Sequence, residues 1–121
     1  MVPRAIIDQS VAYWIGNFFL PDGAPKYYHN RAYPFDIQCA SQAIETLATL
    51  APRYPETTDL ATSVLSWTLR NMQKTNGAFR YQRRKFWLNN QESIHWGQAT
   101  MLAALGAYLH HCTPRLPSSD A

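Results

Sequence analysis

Apolar residues recur at helical spacing in four segments of this chain, with turn residues between them. In the first segment Val11, Ile15 and Phe18 follow one another at intervals of four and three residues, the spacing that places side chains on one face of a helix. A Pro-Asp-Gly turn then interrupts the pattern. The periodicity predicts an all-α fold with helices at about residues 4–20, 36–51, 57–74 and 93–112.

The chain also contains an internal repeat. Each half consists of a helical pattern, a Gly-Ala pair, an aromatic segment and a second helical pattern, and the two Gly-Ala pairs lie 54 residues apart. A fixed period of this kind is typical of stacked or circular repeat proteins. We therefore expect two tandem antiparallel helical hairpins in one domain over residues 1–113, with repeat one at about 4–52 and repeat two at about 57–112. The matching residues are Asn17 with Asn71, Trp14 with Trp67, Gly23-Ala24 with Gly77-Ala78, Lys26-Tyr27 with Arg80-Tyr81, and Gln42-Ala43 with Gln98-Ala99.

The segment 78–92 between the third and fourth predicted helices is rich in aromatic and basic residues. It predicts at most one short β-ribbon, with Arg83-Arg84-Lys85 at its tip. The tip is either a solvated turn or a surface that binds single-stranded nucleic acid by charge and stacking, which requires it to face an open aromatic groove. A net charge of +3 is far from a dense basic stripe, so nucleic acid is not the favoured partner.

The low charge content predicts surfaces that are covered by other protein. Hydrophobic residues make up 46% of the chain and charged residues 16%, against about 25% charged residues in typical domains. The first and third predicted helices are apolar nearly all round, and such a helix needs neighbours on several sides. We therefore expect a homo-oligomer or an assembly with a larger partner chain.

Several kinds of site find no support in the sequence. The two cysteines, Cys39 and Cys112, are expected to be free thiols, and the consecutive His110-His111-Cys112 lack the spacing of zinc ligands. Phosphate-binding and dinucleotide motifs are missing, so no metal and no cofactor is expected. Without a secretory core or an apolar run of bilayer length, we expect a cytoplasmic protein whose residues 114–121 form a disordered tail.

The segment 27–36 is the densest candidate for a binding site. Tyr28, His29 and Arg31 stand close to Asp36 in a loop that contains three tyrosines. Aromatic faces stack on sugar rings, and the polar groups can bond hydroxyls, so the mixture suits a glycan or another polyol. Loop packing is the alternative, with Asp36 acting only as the N-cap of the second helix.

A second candidate lies at the start of the fourth predicted helix. His95, Trp96 and Gln98 stand where helix N–H groups point towards a ligand. The alternative is a close helix crossing at Gly97, with Trp96 in the core. Tyr81, which matches Tyr27 in the repeat, completes the set of candidate ligand-binding residues.

Two motifs, Tyr27-Tyr28-His29-Asn30-Arg31-Ala32-Tyr33-Pro34-Phe35-Asp36-Ile37-Gln38 and His95-Trp96-Gly97-Gln98-Ala99, together resemble the C-terminal part of α/α-toroid proteins. These are six-hairpin, glycosidase-like helical barrels, and the closer likeness is to bacterial members encoded beside polysaccharide-synthesis enzymes. The resemblance covers about residues 11–110. It implies a central funnel that holds a carbohydrate, with Tyr28, His29, Arg31, Asp36, His95, Trp96 and Gln98 around it.

The chain departs from that family in two respects. It is much shorter than a complete toroid, and His95 stands where we would expect an arginine. The resemblance therefore implies a carbohydrate-related fragment or subunit that binds or processes glycans, with the reaction undefined. The alternative function is a non-catalytic helical interaction module that assembles with itself or with a partner.

Overall fold

The computed structural model describes residues 2–89 and 97–112, and 57% of them are helical. The predicted mostly helical fold is therefore confirmed for this part of the chain. Asn17 and Met72 end the first and third helices, two or three residues earlier than predicted. The elements are α1 (Arg4–Asn17), β1 (Phe35–Asp36), α2 (Ile37–Leu50), α3 (Thr57–Met72), β2 (Gln82–Arg83), β3 (Leu88–Asn89) and α4 (Ala99–His111).

Helix α2 forms the centre of the fold and packs against both α3 and α4. Its apolar positions follow a three- and four-residue spacing, which buries Ile37, Ile44 and Leu47 completely. At its far end the Thr57 hydroxyl donates a hydrogen bond to the Leu47 carbonyl at 2.9 Å. That contact joins the end of α2 to the beginning of α3, so the two helices run antiparallel. Glu56 holds the N-cap position of α3 and makes no side-chain capping hydrogen bond.

Helix α4 begins beside the start of α2. A Cβ added to Gly97 would lie 3.5 Å from Ile37 Cγ2, which is a close but unstrained approach. Near its other end the Tyr108 and Thr62 hydroxyls are 2.9 Å apart. Helix α4 therefore runs parallel to α2 and antiparallel to α3, and it buries Met101 in the shared core.

The helical spacing of Leu102, Leu105 and Leu109 on α4 predicts that they lie on its buried face, and this prediction is wrong in part. Leu102 and Leu109 are 71% and 63% exposed. Helix α4 packs against α2 on one side, and its Ala99, Leu102 and Ala103 lie exposed. An apolar stripe on a helix predicts that another element packs against it. It does not predict that this element belongs to the described part of the chain.

Helix α1 contains no fully buried residue. It contacts the body at both ends: Tyr54 donates a hydrogen bond to Asp8 near its start, and Trp14 packs on the core cluster near its end. These contacts place α1 antiparallel to α2, although Ile6 and Tyr13 remain exposed. The bond to Tyr54 lowers the pKa of the Asp8 carboxyl and raises that of the Tyr54 hydroxyl.

The two Gly-Ala loops have the same backbone hydrogen bonds. Gly23 and Gly77 have φ angles of 91° and 92°, values at which glycine is strongly favoured. In the first loop the Leu20 N–H donates to the Ala24 carbonyl, and in the second the Lys74 N–H donates to the Ala78 carbonyl. The sequence repeat therefore has a structural counterpart at an offset of 54 residues.

Asparagines in the preceding helices fix the alignment of the two units. Asn17 donates its side-chain amide to the Tyr13 carbonyl, and Asn71 donates to the Trp67 carbonyl. Tyr13 is therefore the backbone counterpart of Trp67. Trp14 matches Trp67 in residue type but lies one position after Tyr13. The hydrogen bonds, and not the side-chain type, define how the two units align.

The predicted β-ribbon is present as β2 and β3, with residues 84–87 at its tip. A further strand, β1, was not predicted and pairs antiparallel with β2, which gives one small sheet in the order β1-β2-β3. Each strand has two residues, too few for a period-two pattern to be recognised in the sequence. The predicted tail 114–121 lies outside the described residues.

Candidate functional site

Pairing of β1 with β2 brings the two aromatic segments of the chain together. Phe35 lies opposite Arg83 and Asp36 lies opposite Gln82. The Ile37 N–H extends the pairing by donating to the Tyr81 carbonyl at 2.9 Å. The loop before α2 and the ribbon before α4 thus form the two walls of one pocket.

The pocket has a volume of about 580 Å³, within the range that holds a small ligand such as an oligosaccharide. It lies at the end of the fold where α2 begins. Aromatic, amide and basic side chains dominate its wall. The lining residues are Tyr27, Tyr28, Arg31, Tyr33, Pro34, Asp36, Gln38, Tyr81, Gln82, Arg84, Lys85, Phe86 and Trp87.

Aromatic rings stand on both walls of the pocket. On the loop side Tyr27 and Tyr28 have ring centroids 4.8 Å apart. On the ribbon side Phe86 is 87% exposed and Trp87 is also largely exposed. Exposed aromatic rings on two facing segments are typical of a surface that stacks on a planar or weakly polar ligand face.

Three cations accompany these rings. The Arg31 guanidinium lies 4.0 Å from the Tyr28 ring centroid, that of Arg84 lies 5.0 Å from Trp87, and the Lys85 ammonium lies 5.4 Å from Phe86. Within the described part of the chain none of these three cations forms an ion pair. The pocket therefore has a positive field that no described carboxylate neutralises at contact distance.

Asp36 contributes the only carboxylate among the described lining residues, and both of its oxygens are occupied. Its Oδ1 accepts from the Gln38 N–H at 2.8 Å, and its Oδ2 accepts from the Gln82 amide at 2.9 Å. The first bond makes Asp36 the N-cap of α2. The side chain is 6% exposed, so it holds the two walls together and presents little charge to a ligand.

Four of the predicted ligand-binding residues converge on this pocket: Tyr28, Arg31, Asp36 and Tyr81. His29 lies outside the lining, with its ring 6.4 Å from that of Phe18, and its carbonyl accepts from Lys26 Nζ at 2.7 Å.

The predicted second site, at the start of α4, is described only in part. Gln98 lies outside the pocket and uses both amide atoms on the Phe79 backbone, each at 2.9 Å. That pairing ties α4 to the second Gly-Ala loop. His95 and Trp96 lie outside the described residues.

From the sequence, the ribbon tip is a separate nucleic-acid candidate, and no pattern joins it to the loop before α2. Arg84, Lys85, Phe86 and Trp87 therefore were not predicted as part of the glycan site, although they line the same pocket as Tyr28. The common signal was compositional, since both segments combine aromatic and basic residues. Only the pairing of β1 with β2 showed that the two segments are neighbours.

The remaining reactive groups lie elsewhere. Burial, and then the charge of Asp36, raises the pKa of the Cys39 thiol to about 11, and burial raises that of Cys112. Both thiols are free. In residues 2–89 and 97–112 no group of three or more His, Cys, Asp or Glu side chains is arranged to hold a metal ion.

No protein-family model, curated protein or solved structure compared with the chain gives a match. No helix in the described segments is long and apolar enough to cross a membrane.

Proposed function

We propose that this chain binds a glycan in the pocket between the loop before α2 and the β2–β3 ribbon. The observation that carries the proposal is the convergence of aromatic rings, amides and cations from two distant segments on one concave surface. Sugar rings offer apolar faces to aromatic side chains and hydroxyls to amides and guanidinium groups. Tyr28 and Trp87 supply faces, while Gln38 and Gln82 supply amides.

The helix arrangement supports a carbohydrate-related protein of the α/α-toroid type, of which this chain would be a fragment or subunit. Helices α2 and α4 are parallel neighbours, and α3, the helix between them in sequence, runs antiparallel to both. Alternation of this kind is what a ring of helical hairpins requires. The pocket lies where α2 begins, on the side to which the inter-helix loops project.

The charge of the pocket favours a glycan that carries acidic groups. Arg31, Arg84 and Lys85 lack a described ion-pair partner, whereas Asp36 is already engaged. Guanidinium groups bind carboxylate and phosphate in bidentate geometry. A uronate-containing or phosphorylated saccharide would therefore bind more tightly than a neutral one of the same length.

Binding, rather than glycoside hydrolysis, is the activity that these side chains support. Hydrolysis commonly uses two carboxyl groups on either side of the scissile bond. Asp36 is the only carboxylate that the described lining offers, and its oxygens hold Gln38 and Gln82. We therefore propose no reaction.

Calorimetric titration with neutral and uronate-containing oligosaccharides of equal length tests the proposal. We expect the acidic ligand to bind at least about tenfold more tightly, since one charge-assisted contact contributes about 1.5–3 kcal/mol. Arg31→Ala should remove most of that preference, and Trp87→Ala should weaken both ligands. Arg70→Ala, which changes an exposed arginine of α3 outside the pocket, is the matched control.

The same titration also distinguishes two alternative functions, nucleic-acid binding and a non-catalytic interaction module. The Arg83-Arg84-Lys85 tip does face an open aromatic pocket, which was the condition for single-strand nucleic-acid binding. Tight, salt-sensitive binding of an oligonucleotide without glycan binding would favour that function. Failure of every glycan and oligonucleotide to bind would leave the non-catalytic interaction module as the better account.

A further inference from the structure

We propose that the α4 edge of one chain receives the α1–α2 hairpin of a second copy, so that copies associate head to tail. The acceptor surface consists of the second Gly-Ala loop and the exposed face of α4. The donor surface is the exposed face of α1. This inference goes beyond glycan binding and does not depend on it, because it rests on the exposed surfaces of α1 and α4 and not on the pocket.

The junction between the two units inside the chain provides the template. The first Gly-Ala loop is covered by α3: a Cβ added to Gly23 would lie 2.7 Å from the backbone carbon of Ser63. Ala24, beside it, is completely buried. Trp67 completes the contact by packing on Phe35, with ring centroids 4.8 Å apart. The first helix of the second unit thus covers the loop of the first unit.

The second Gly-Ala loop has the same backbone, but no described residue covers it in this way. Gly77 has the φ angle of Gly23, yet a Cβ added to it would meet no atom of the described chain within 4 Å. Ala78, the counterpart of the buried Ala24, is only partly buried. The surface that receives a helix in unit one is therefore formed again in unit two, where none of residues 2–89 and 97–112 covers it.

The second helices of the two units differ in the same way. The sequence match of Gln42-Ala43 with Gln98-Ala99 makes Ala43 the counterpart of Ala99, and Leu47 that of Ala103. Ala43 and Leu47 are buried, whereas Ala99 and Ala103 are exposed beside Leu102. The exposed apolar stripe of α4 thus corresponds in position to a stripe of α2 that is covered.

The same chain also carries a free donor helix. Helix α1 is the counterpart of α3, and none of its residues is fully buried. Tyr13, which the hydrogen bonds of Asn17 and Asn71 align with Trp67, is 58% exposed. The contact at Gly23 is made by backbone and Cβ atoms of Ser63. The corresponding residue of α1 is Gln9, which has the same backbone and Cβ atoms.

A second copy is the occupant to which these observations point, because one chain carries both halves of the unfilled junction. Its α1 would cover the second Gly-Ala loop as α3 covers the first, and its α2 would lie against α4. The two surfaces are different patches, so the association is heterologous. Successive copies then either close into a ring or continue as a filament.

Two variants that each block one surface test this assignment. Ala103→Glu places a charge on the acceptor face of α4, and Tyr13→Glu places one on the donor face of α1. Both positions are exposed in the single chain, so each variant should keep the wild-type circular dichroism spectrum. Leu69→Glu, on an exposed part of α3 outside both surfaces, is the matched control.

Size-exclusion chromatography with light scattering gives the outcome. We expect the wild-type chain and Leu69→Glu to form the same assembly, of at least twice the 13.8 kDa chain mass, and each blocked variant to be monomeric. An equimolar mixture of Ala103→Glu and Tyr13→Glu should form a dimer, because one intact acceptor can meet one intact donor. A monomeric wild type, a blocked variant of wild-type mass, or a mixture that stays monomeric would overturn the proposal.

Discussion

Helices α2 and α4 hold the same place in the two units, but their surroundings are different. Both carry small and aliphatic residues at helical spacing, and both begin at the end of the fold that contains the sheet. Leu47 of α2 is completely buried, while Leu102 of α4 is 71% exposed. The comparison shows that an apolar stripe specifies a surface to be covered, whereas burial depends on which element is available to cover it.

The largest expected difference between the two helices is the stability cost of removing a leucine. Leu47→Ala should lower the free energy of unfolding by about 2–5 kcal/mol because it leaves a cavity in the core. Leu102→Ala should change it by less than about 0.5 kcal/mol because the side chain already faces solvent. Urea unfolding followed by circular dichroism measures both.

The two leucine variants must be compared at a protein concentration at which the chain is monomeric, since self-association would add a contribution from Leu102. Equal costs for the two substitutions under that condition would show that α4 is covered within the single chain.

The two Gly-Ala loops give a sharper test, because their backbones are equal and only their surroundings differ. Gly77→Ala should cost about 1–2 kcal/mol, the penalty of placing a Cβ in the left-handed region of φ. Gly23→Ala should cost about 1–3 kcal/mol more, since the new Cβ would overlap the backbone of Ser63. The same unfolding experiment measures the difference between the variants.

In the loop comparison each glycine serves as the control for the other. A Gly23→Ala variant as stable as Gly77→Ala would mean that α3 does not press on the first loop, and the template for the second junction would be lost.

The smallest expected effect concerns the Cys39 thiol at the start of α2. Its folded-state pKa of about 11 lies above its ordinary value of 9.0. Between these values the unfolded chain binds fewer protons than the folded chain, so the thiol's contribution to stability is complete below pH 9 and is lost as the pH rises towards 11. Because the side chain is partly exposed, the loss should not exceed about 1 kcal/mol.

Unfolding of the wild type and of Cys39→Ala at pH 8 and pH 10.5 isolates that contribution, because all other side chains are the same in the two proteins. The wild type should lose more stability than the variant over this interval. The same loss in both would assign the pH dependence to other groups.

The residues of the individual segments determined much of the local structure. The apolar spacing predicted four helices, and Asp36 was correctly identified as the N-cap candidate of α2. The Gly-Ala pairs indicated two equal loops, which the φ angles of Gly23 and Gly77 match. These features depend on residues close together in the chain, where side-chain type and backbone conformation are directly linked.

The tertiary structure decided which of these local features became neighbours. It placed the Arg84–Trp87 tip against the Tyr27–Tyr28 loop through the pairing of β1 with β2, left His29 outside the pocket, and used Gln98 on the Phe79 backbone. It also left Leu102 exposed although its spacing matched a buried stripe. The physical reason is that helical periodicity encodes one direction of burial for each element, while contacts between distant segments depend on packing that no single segment contains.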